Sequence, residues 1–225
     1  ICNIRAFPAA IAEIVQSAFG LRAVAGGALG AMMAAMQSGV ARGIFSNEAG
    51  LGSAPIAAAA AKTHTSVRQG LISMTGTFID TIVICTMTGT TLVITGATER
   101  GLEGAECTAY AFGEGLPLGA QTGSFVLMMC LIFFAFTTIL GWDYYSERCL
   151  EYLIGKRKGV LLTYKWLYIL AVLIGSFLTV EAVWTIADIF NGLMAIPNLI
   201  ALVALSGVVT RETRAYFEKE KHLKL

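Results

Sequence analysis

Hydrophobic positions along this chain fall into long runs that short polar stretches separate. Runs of about 20 apolar residues are long enough for a helix to cross a bilayer, and they lack the residue-by-residue alternation of a transmembrane β-strand. The pattern therefore predicts five crossing helices. They lie at about 24–60, 70–97, 122–150, 159–179 and 181–210.

The first predicted crossing contains a polar interruption, GIFSNEAG, between apolar flanks. Gly43 and the glycines that follow it lower helix propensity, whereas Ser46 and Asn47 are residue types that cap helices. Pro55 is tolerated in the first turn of a new helix. The sequence thus predicts two half-helices joined by an unwound segment at 43–50.

The fifth predicted crossing, 181–210, also contains residues that disfavour a regular helix. Asp188 is a carboxylate within an apolar run, and Pro197 lacks the backbone N–H that a helix interior requires. We therefore expect a kinked or interrupted crossing here.

Basic residues predict which side of the membrane each connection faces, because short loops rich in Lys and Arg stay on the cytoplasmic side. They cluster after the first crossing, after the third crossing and beyond the fifth: Lys62, Arg68, Arg148, Lys156, Arg157, Lys158, Arg211, Arg214, Lys219, Lys221 and Lys224. With five crossings all three clusters face the same side. The tail, 211–225, is then cytoplasmic, the acidic connection 97–121 lies outside, and the protein is a multi-pass protein of the cell inner (plasma) membrane.

Composition agrees with this pattern. Of the 225 residues, 56% are hydrophobic and 14% are charged, whereas a soluble domain carries about 25% charged residues. We therefore predict an all-α membrane protein with one transmembrane domain, 1–225.

The net charge of +1 gives no reason to expect a nucleic-acid partner, and the five cysteines contain no CxxC pair that would suggest zinc or a disulfide framework. The chain begins ICNIRAF, without an initiator methionine, and we expect it to be a fragment.

A helix that unwinds inside a bilayer points to a binding site. Unpaired backbone groups cost several kcal/mol each in hydrocarbon, so a break is tolerated only where protein or a water-filled cavity satisfies them. The end of one half-helix presents carbonyls and the start of the next presents N–H groups. A small zwitterion suits both ends, as does a cation bound beside an anion.

Several stretches together carry a family resemblance. GVARGIFSNEAGLGSAPIAAAAAKT, followed by FIDT, FAFTTILGWDYYSERCLEYL and ADIFNGLMAIPNLIAL, resembles the sodium:alanine symporters, also called alanine or glycine:cation symporters. The likeness covers the whole chain but only the second half of a family member. It implies the second five-helix repeat of a five-plus-five inverted-repeat transporter with an interrupted first helix. The missing N-terminal half of the same transporter would then be a partner.

The resemblance also implies site residues. Substrate would contact Gly43, Phe45, Ser46, Asn47, Thr138 and Trp142, while sodium would bind the Phe134 carbonyl with Thr137 and Thr138. Thr138 and Trp142, four residues apart, project from one helical face. Each residue also has a purely structural interpretation: Ser46 and Asn47 as helix caps, and the threonines as donors to their own helix.

Two carboxylates inside predicted crossings are candidates for ion coupling. Glu48 and Asp80 each carry a cost in a membrane unless they are paired or protonated. Arg42 is a candidate partner for Glu48. Asp80 either tunes the cation site or bonds hydroxyls such as those of Thr77 and Thr81.

The function that these features predict is sodium-coupled symport of alanine or glycine by alternating access. Its partners are the small amino acid, sodium as the coupling ion and membrane lipid, with no cofactor. A proton-coupled carrier and a channel or structural subunit remain alternatives, and the choices between alanine and glycine and between sodium and proton stay open. An enzyme is disfavoured, because no GxSxG elbow occurs and the two histidines, His64 and His222, fall at the edge of a crossing and in the tail.

Overall fold

The computed structural model describes residues 4–19, 28–102, 104–117 and 119–223. Within these ranges the chain is helical and has no strand, which confirms the all-α class. The helices are α1 (Phe7–Phe19), α2 (Ala28–Asn47), α3 (Ala54–Ala59), α4 (Ser66–Phe78), α5 (Cys85–Ile94), α6 (Gly104–Gly115), α7 (Ala120–Ile154), α8 (Lys158–Gly175) and α9 (Val180–Leu223). A π-helical segment, Ile79–Ile84, joins α4 to α5.

Four helical segments of the described chain are long and apolar enough to cross a membrane: Ser66–Ile94, Ala120–Ile154, Lys158–Gly175 and Val180–Lys219. They occupy the second to fifth predicted crossings. The first predicted crossing contains α2 and α3, and neither of these is among the four. Its first residues, 24–27, lie outside the described ranges.

The fifth crossing, predicted to be kinked or interrupted, is not interrupted, because α9 continues through Pro197. A proline removes one backbone donor and clashes with one carbonyl. This cost is local, and the other hydrogen bonds of the 44-residue helix do not depend on it. The same helix includes residues 211–223 of the predicted tail, and the acidic connection 97–121 contains the additional helix α6.

The chain divides into two compact units. The first contains residues Ile1–Val40 and Phe78–Leu140. Within it, α5 contacts both α1 and α6. A Cβ on Gly123 would lie 2.5 Å from the carbonyl oxygen of Phe112, so only glycine allows α7 to approach α6 this closely.

The second unit contains residues Ala41–Thr77 and Gly141–Leu225. In it, Lys165 of α8 pairs with Glu147 of α7 at 2.8 Å, which ties these two helices together. Two residues of the segment between α2 and α3 are buried in this unit: Leu51 is 4% exposed and Ser53 is 2% exposed. Protein thus covers part of the break, as expected for a broken helix that crosses a membrane.

Candidate functional site

The helix α2 ends in a Schellman motif. The N–H of Ala49 donates to the carbonyl of Ile44 at 3.1 Å, and the N–H of Glu48 donates to the carbonyl of Phe45 at 3.3 Å. This pair of bonds satisfies two of the carbonyls left over at a helix end. Glu48 adopts φ +50°, at the position where such motifs usually have glycine.

The break therefore begins later than predicted. Residues 43–47 belong to α2, and the non-helical segment is 48–53. Glycine lowers helix propensity by only about 1 kcal/mol, and Gly43 does not end the helix. The Asn47 side chain donates to the Gly43 carbonyl at 3.1 Å, so it is engaged with its own helix.

Two glycines shape the segment between the half-helices. Gly50 and Gly52 have φ of +77° and +84°, values that suit glycine. A Cβ on Gly52 would lie 3.0 Å from Oδ1 of Asn198 in α9, and one on Gly50 would lie 3.7 Å from Leu199. Thus the break packs closely against α9 just after Pro197.

Several backbone N–H groups of this segment have no acceptor within the described ranges. Among the residues that the structure describes, no acceptor is seen for the N–H groups of Gly50, Gly52 or Ser53. The side chain of Ser53 is also buried, and its Oγ has no hydrogen-bond partner within the described ranges. The second half-helix, α3, is short, with six residues and a proline in its first turn as expected.

A cavity of about 540 Å³ lies beside the break within the second unit. It is lined by Gly52 and Ser53, by Trp142 and Tyr145 of α7, and by Pro197 and Asn198 of α9. The Trp142 ring meets the Tyr145 ring edge to face at 5.7 Å. A mostly apolar cavity with a few polar groups is the usual form of a small-molecule site.

Phe45, the other predicted aromatic wall, has a different neighbour. Its ring meets Trp184 of α9 edge to face at 5.4 Å. It is not among the residues that line the cavity beside Trp142. Ser46, one residue further on, is exposed at the end of α2.

Arg42 is not the partner of Glu48. Its guanidinium binds the carboxylate of Asp188 through two hydrogen bonds of 3.0 and 3.2 Å, and it lies 3.9 Å from the ring centre of Trp184. The expectation of an Arg42–Glu48 pair is therefore wrong. Asp188, which sequence analysis left outside the site, provides the anionic partner from a helix 146 positions away.

The Glu48 carboxylate instead lies near the hydroxyl of Tyr145 on α7. Oε2 of Glu48 is buried and has no hydrogen-bond partner among the described residues. Sequence analysis did not single out Tyr145. Its spacing of three residues from Trp142 along α7 was the available signal, because such residues are neighbours on a helix surface.

In the first unit, the predicted sodium-binding turn is a set of three oxygens. The hydroxyls of Thr137 and Thr138 both donate to the carbonyl of Phe134, at 2.9 and 2.8 Å. This is the bonding of a threonine to its own helix. Each hydroxyl oxygen keeps its lone pairs while it donates, so the geometry leaves these oxygens able to accept a cation.

Asp80 lies in the π-helical segment Ile79–Ile84 of the first unit. Single π-turns within helices are often found at functional sites. No feature of FIDT distinguishes it from an ordinary helical turn, so the sequence did not predict this irregularity.

These features define a multi-pass helical membrane protein in which a buried break and a cavity meet between helices. The sodium:alanine symporter family model matches residues 1–225, and the chain belongs to that family. The family and the names of its members indicate transport and not enzymatic catalysis.

Similar proteins come from bacteria and an archaeon. The chain is 59% identical over 221 residues to an uncharacterized transporter of Haemophilus influenzae, covering 97% of this chain and 48% of that protein. It is 50% identical to the sodium/alanine symporter AgcS of Methanococcus maripaludis, with 95% and 46% covered, and 40% identical to the probable sodium/glutamine symporter GlnT of Bacillus subtilis, with 97% and 45% covered. The chain thus spans about half the length of the curated relatives it matches. No solved structure matches it significantly.

Proposed function

We propose that this chain is half of a sodium-coupled symporter that carries a small neutral amino acid, alanine or glycine, across the cell membrane by alternating access. The observation that carries this proposal is the partly buried break at 48–53, where N–H groups without an acceptor among the described residues lie beside a cavity. Discontinuous membrane helices of this kind form the substrate sites of many secondary transporters. The relative named as a sodium/alanine symporter supports the choice of cargo.

The amino acid would bind at the break. Its carboxylate suits the N–H groups of Gly50 and Gly52, because these donors carry partial positive charge and have no protein acceptor among the described residues. Following the family resemblance, Gly43, Phe45, Ser46 and Asn47 at the end of α2, together with Trp142, would contact the rest of the molecule. A bulky Trp142 would favour a side chain no larger than a methyl group.

Sodium would bind the carbonyl oxygen of Phe134 and the hydroxyls of Thr137 and Thr138. All three are neutral oxygen ligands, which a hard monovalent cation prefers. Both hydroxyls already converge on that carbonyl, so the turn holds the three oxygens together, and the hydroxyl hydrogens would turn away from the carbonyl when the cation binds. Sodium and the amino acid would each favour the other's binding, which is the basis of coupled transport.

The rest of the transporter would be a second, homologous half. A five-plus-five inverted repeat, with this chain as the second repeat, accounts for a chain that covers 46 to 48% of its first relatives. It also accounts for the many large apolar side chains that the described helices expose. Lipid and the other half would cover them together.

The test is the sodium dependence of alanine uptake by the complete transporter in proteoliposomes. Thr138→Ala removes one proposed ligand and should raise the half-saturating sodium concentration about tenfold or more. Thr163→Ala is the matched control, since Thr163 donates to its own helix in the same way at 3.1 Å. Equal sodium dependence in both variants and the parent would refute the sodium site.

A further inference from the structure

Glu48 occupies a backbone position that is unfavourable for it. Its φ of +50° is left-handed, and the Schellman motif at this position usually has glycine. A glutamate retained in such a conformation is a form of local strain, and strain of this kind clusters at functional sites. The strained backbone therefore marks Glu48 as a candidate functional side chain.

The carboxylate of Glu48 is only partly satisfied. The Tyr145 hydroxyl lies near the carboxylate, while Oε2 is buried without a hydrogen-bond partner in the described chain. A buried ionised carboxylate is costly unless a charge or further hydrogen bonds compensate it. A cation at Oε2 would provide that compensation.

The basic side chains of α2, α7 and α8 named here already have acidic partners. Arg42 binds Asp188, and on α7 Glu147 pairs with Lys165, while Arg148 pairs with Glu151 at 2.7 Å. From α9 the break meets Asn198 and Leu199, which are uncharged. Within the described residues, no basic side chain is thus paired with Glu48.

We propose that Glu48, positioned by Tyr145, binds one monovalent cation during each transport cycle, at a site distinct from the Phe134–Thr138 turn. This rests on the proposed transport function and deepens it, because it assigns a second coupling cation. The shared chemistry is a single positive charge at Oε2, either a sodium ion or a proton. A proton would form an O–H bond on one side of the membrane and return to water on the other, where that bond breaks.

Cation binding would also lower the energetic cost of moving the break. With the cation bound, the glutamate is neutral and the segment can change its surroundings at lower cost than a bare carboxylate can. Without the cation, the bare carboxylate raises the cost of the same movement. Cation binding would thus lower the cost of moving the loaded site, which links the cation to the movement that carries the substrate.

The experiment measures the number of positive charges moved with each alanine, from reversal potentials of the complete transporter in proteoliposomes. Glu48→Gln should move one charge fewer than the parent. Glu48→Gly should do the same, and since glycine suits this backbone position, its result cannot be attributed to a lost fold. Glu212→Gln neutralises an exposed carboxylate on α9 and should leave the number unchanged.

Two gradients identify the cation. If the lost charge is a sodium ion, uptake by Glu48→Gln depends on the sodium gradient less steeply than uptake by the parent. Uptake by both proteins is then insensitive to an imposed pH gradient. If it is a proton, the parent responds to a pH gradient at fixed sodium and the variant does not. Unchanged charge number in both glutamate variants overturns the proposal.

Tyr145→Phe tests the positioning role. The charge number should stay as in the parent, while the half-saturating concentration of the cation rises about tenfold. Tyr144→Phe is the control, because Tyr144 lies against Arg148, with 5.2 Å between the guanidinium carbon and the ring centre. No shift in Tyr145→Phe would overturn its role. Suppose that Thr138→Ala loses its sodium dependence while Glu48→Gln moves as many charges with each alanine as the parent. That result would overturn this inference and leave the proposed symport intact.

Discussion

Arg42 and Asp188 are joined by two hydrogen bonds, of 3.0 and 3.2 Å, between a guanidinium near the end of α2 and a carboxylate in the first part of α9. The same guanidinium lies over Trp184, whose ring also meets Phe45. Four side chains thus attach the last turns of α2 to α9. The attachment lies one turn before the break begins, so it fixes the direction from which the chain enters the site.

This pair should contribute a modest coupling energy. Its side chains are 42% and 47% exposed, and ion pairs of that exposure contribute about 0.5 to 1 kcal/mol. A double-mutant cycle of Arg42→Ala and Asp188→Ala, measured by the free energy of unfolding in mild detergent, checks this value. The pair Arg211 and Glu212, at 3.5 Å with 73% and 53% exposure, is the control and should give a coupling near zero. Equal coupling in the two cycles would contradict the assignment.

Gly52→Ala should destabilise the protein for two reasons. An L-residue at φ +84° costs about 1 to 2 kcal/mol, and the new Cβ would meet Asn198 at 3.0 Å. Gly96→Ala separates these costs, since Gly96 has φ +68° and nothing within 4 Å of a built Cβ. We expect Gly96→Ala to lower the thermal midpoint by about 2 to 4 °C and Gly52→Ala to lower it by more.

Adding Asn198→Ala to Gly52→Ala should restore part of the lost stability, because it removes the atoms that the new Cβ meets. The double variant should then resemble Gly96→Ala. No recovery would mean that Asn198 does not hold the break against α9.

Trp142→Ala should widen the range of amino acids that the transporter accepts. Trp142 lines the cavity beside the break, and its removal leaves room for a longer side chain. Competition uptake of leucine against alanine should rise about tenfold in favour of leucine, the scale on which apolar pockets discriminate methylene groups. Trp166→Ala, at an exposed position of α8, should leave selectivity as it is. Unchanged selectivity in Trp142→Ala would remove this residue from the site.

The sequence predicted the existence of the break but not its limits. Gly43, Ser46 and Asn47 are unfavourable or capping types, and each is tolerated singly within α2. The helix ends where the backbone turns left-handed, at Glu48, a residue type that gives no such signal. Gly50 and Gly52 have the positive φ values that shape the segment. Their positions in the sequence did not show whether they lie within the break or at its C-terminal end.

Partners of charged groups were less predictable than the groups themselves. Glu48 and Arg42 are near each other in sequence, and that proximity suggested a pair. The actual partners, Tyr145 and Asp188, come from α7 and α9, and only tertiary packing determines which side chains of distant helices meet. Pro197 was similarly overestimated as a helix breaker, since α9 continues through it and one missing donor is a local loss.

The length of α9 has a mechanical consequence. Its 44 residues extend about 66 Å at 1.5 Å per residue, roughly twice the thickness of a hydrocarbon core. Pro197, where the break contacts this helix, is about 39 Å from the end at Leu223. A rotation of only 10° about that point would displace the far end by about 7 Å. The C-terminal half of α9 is thus long enough to act as a lever arm, which would magnify small movements at the candidate site.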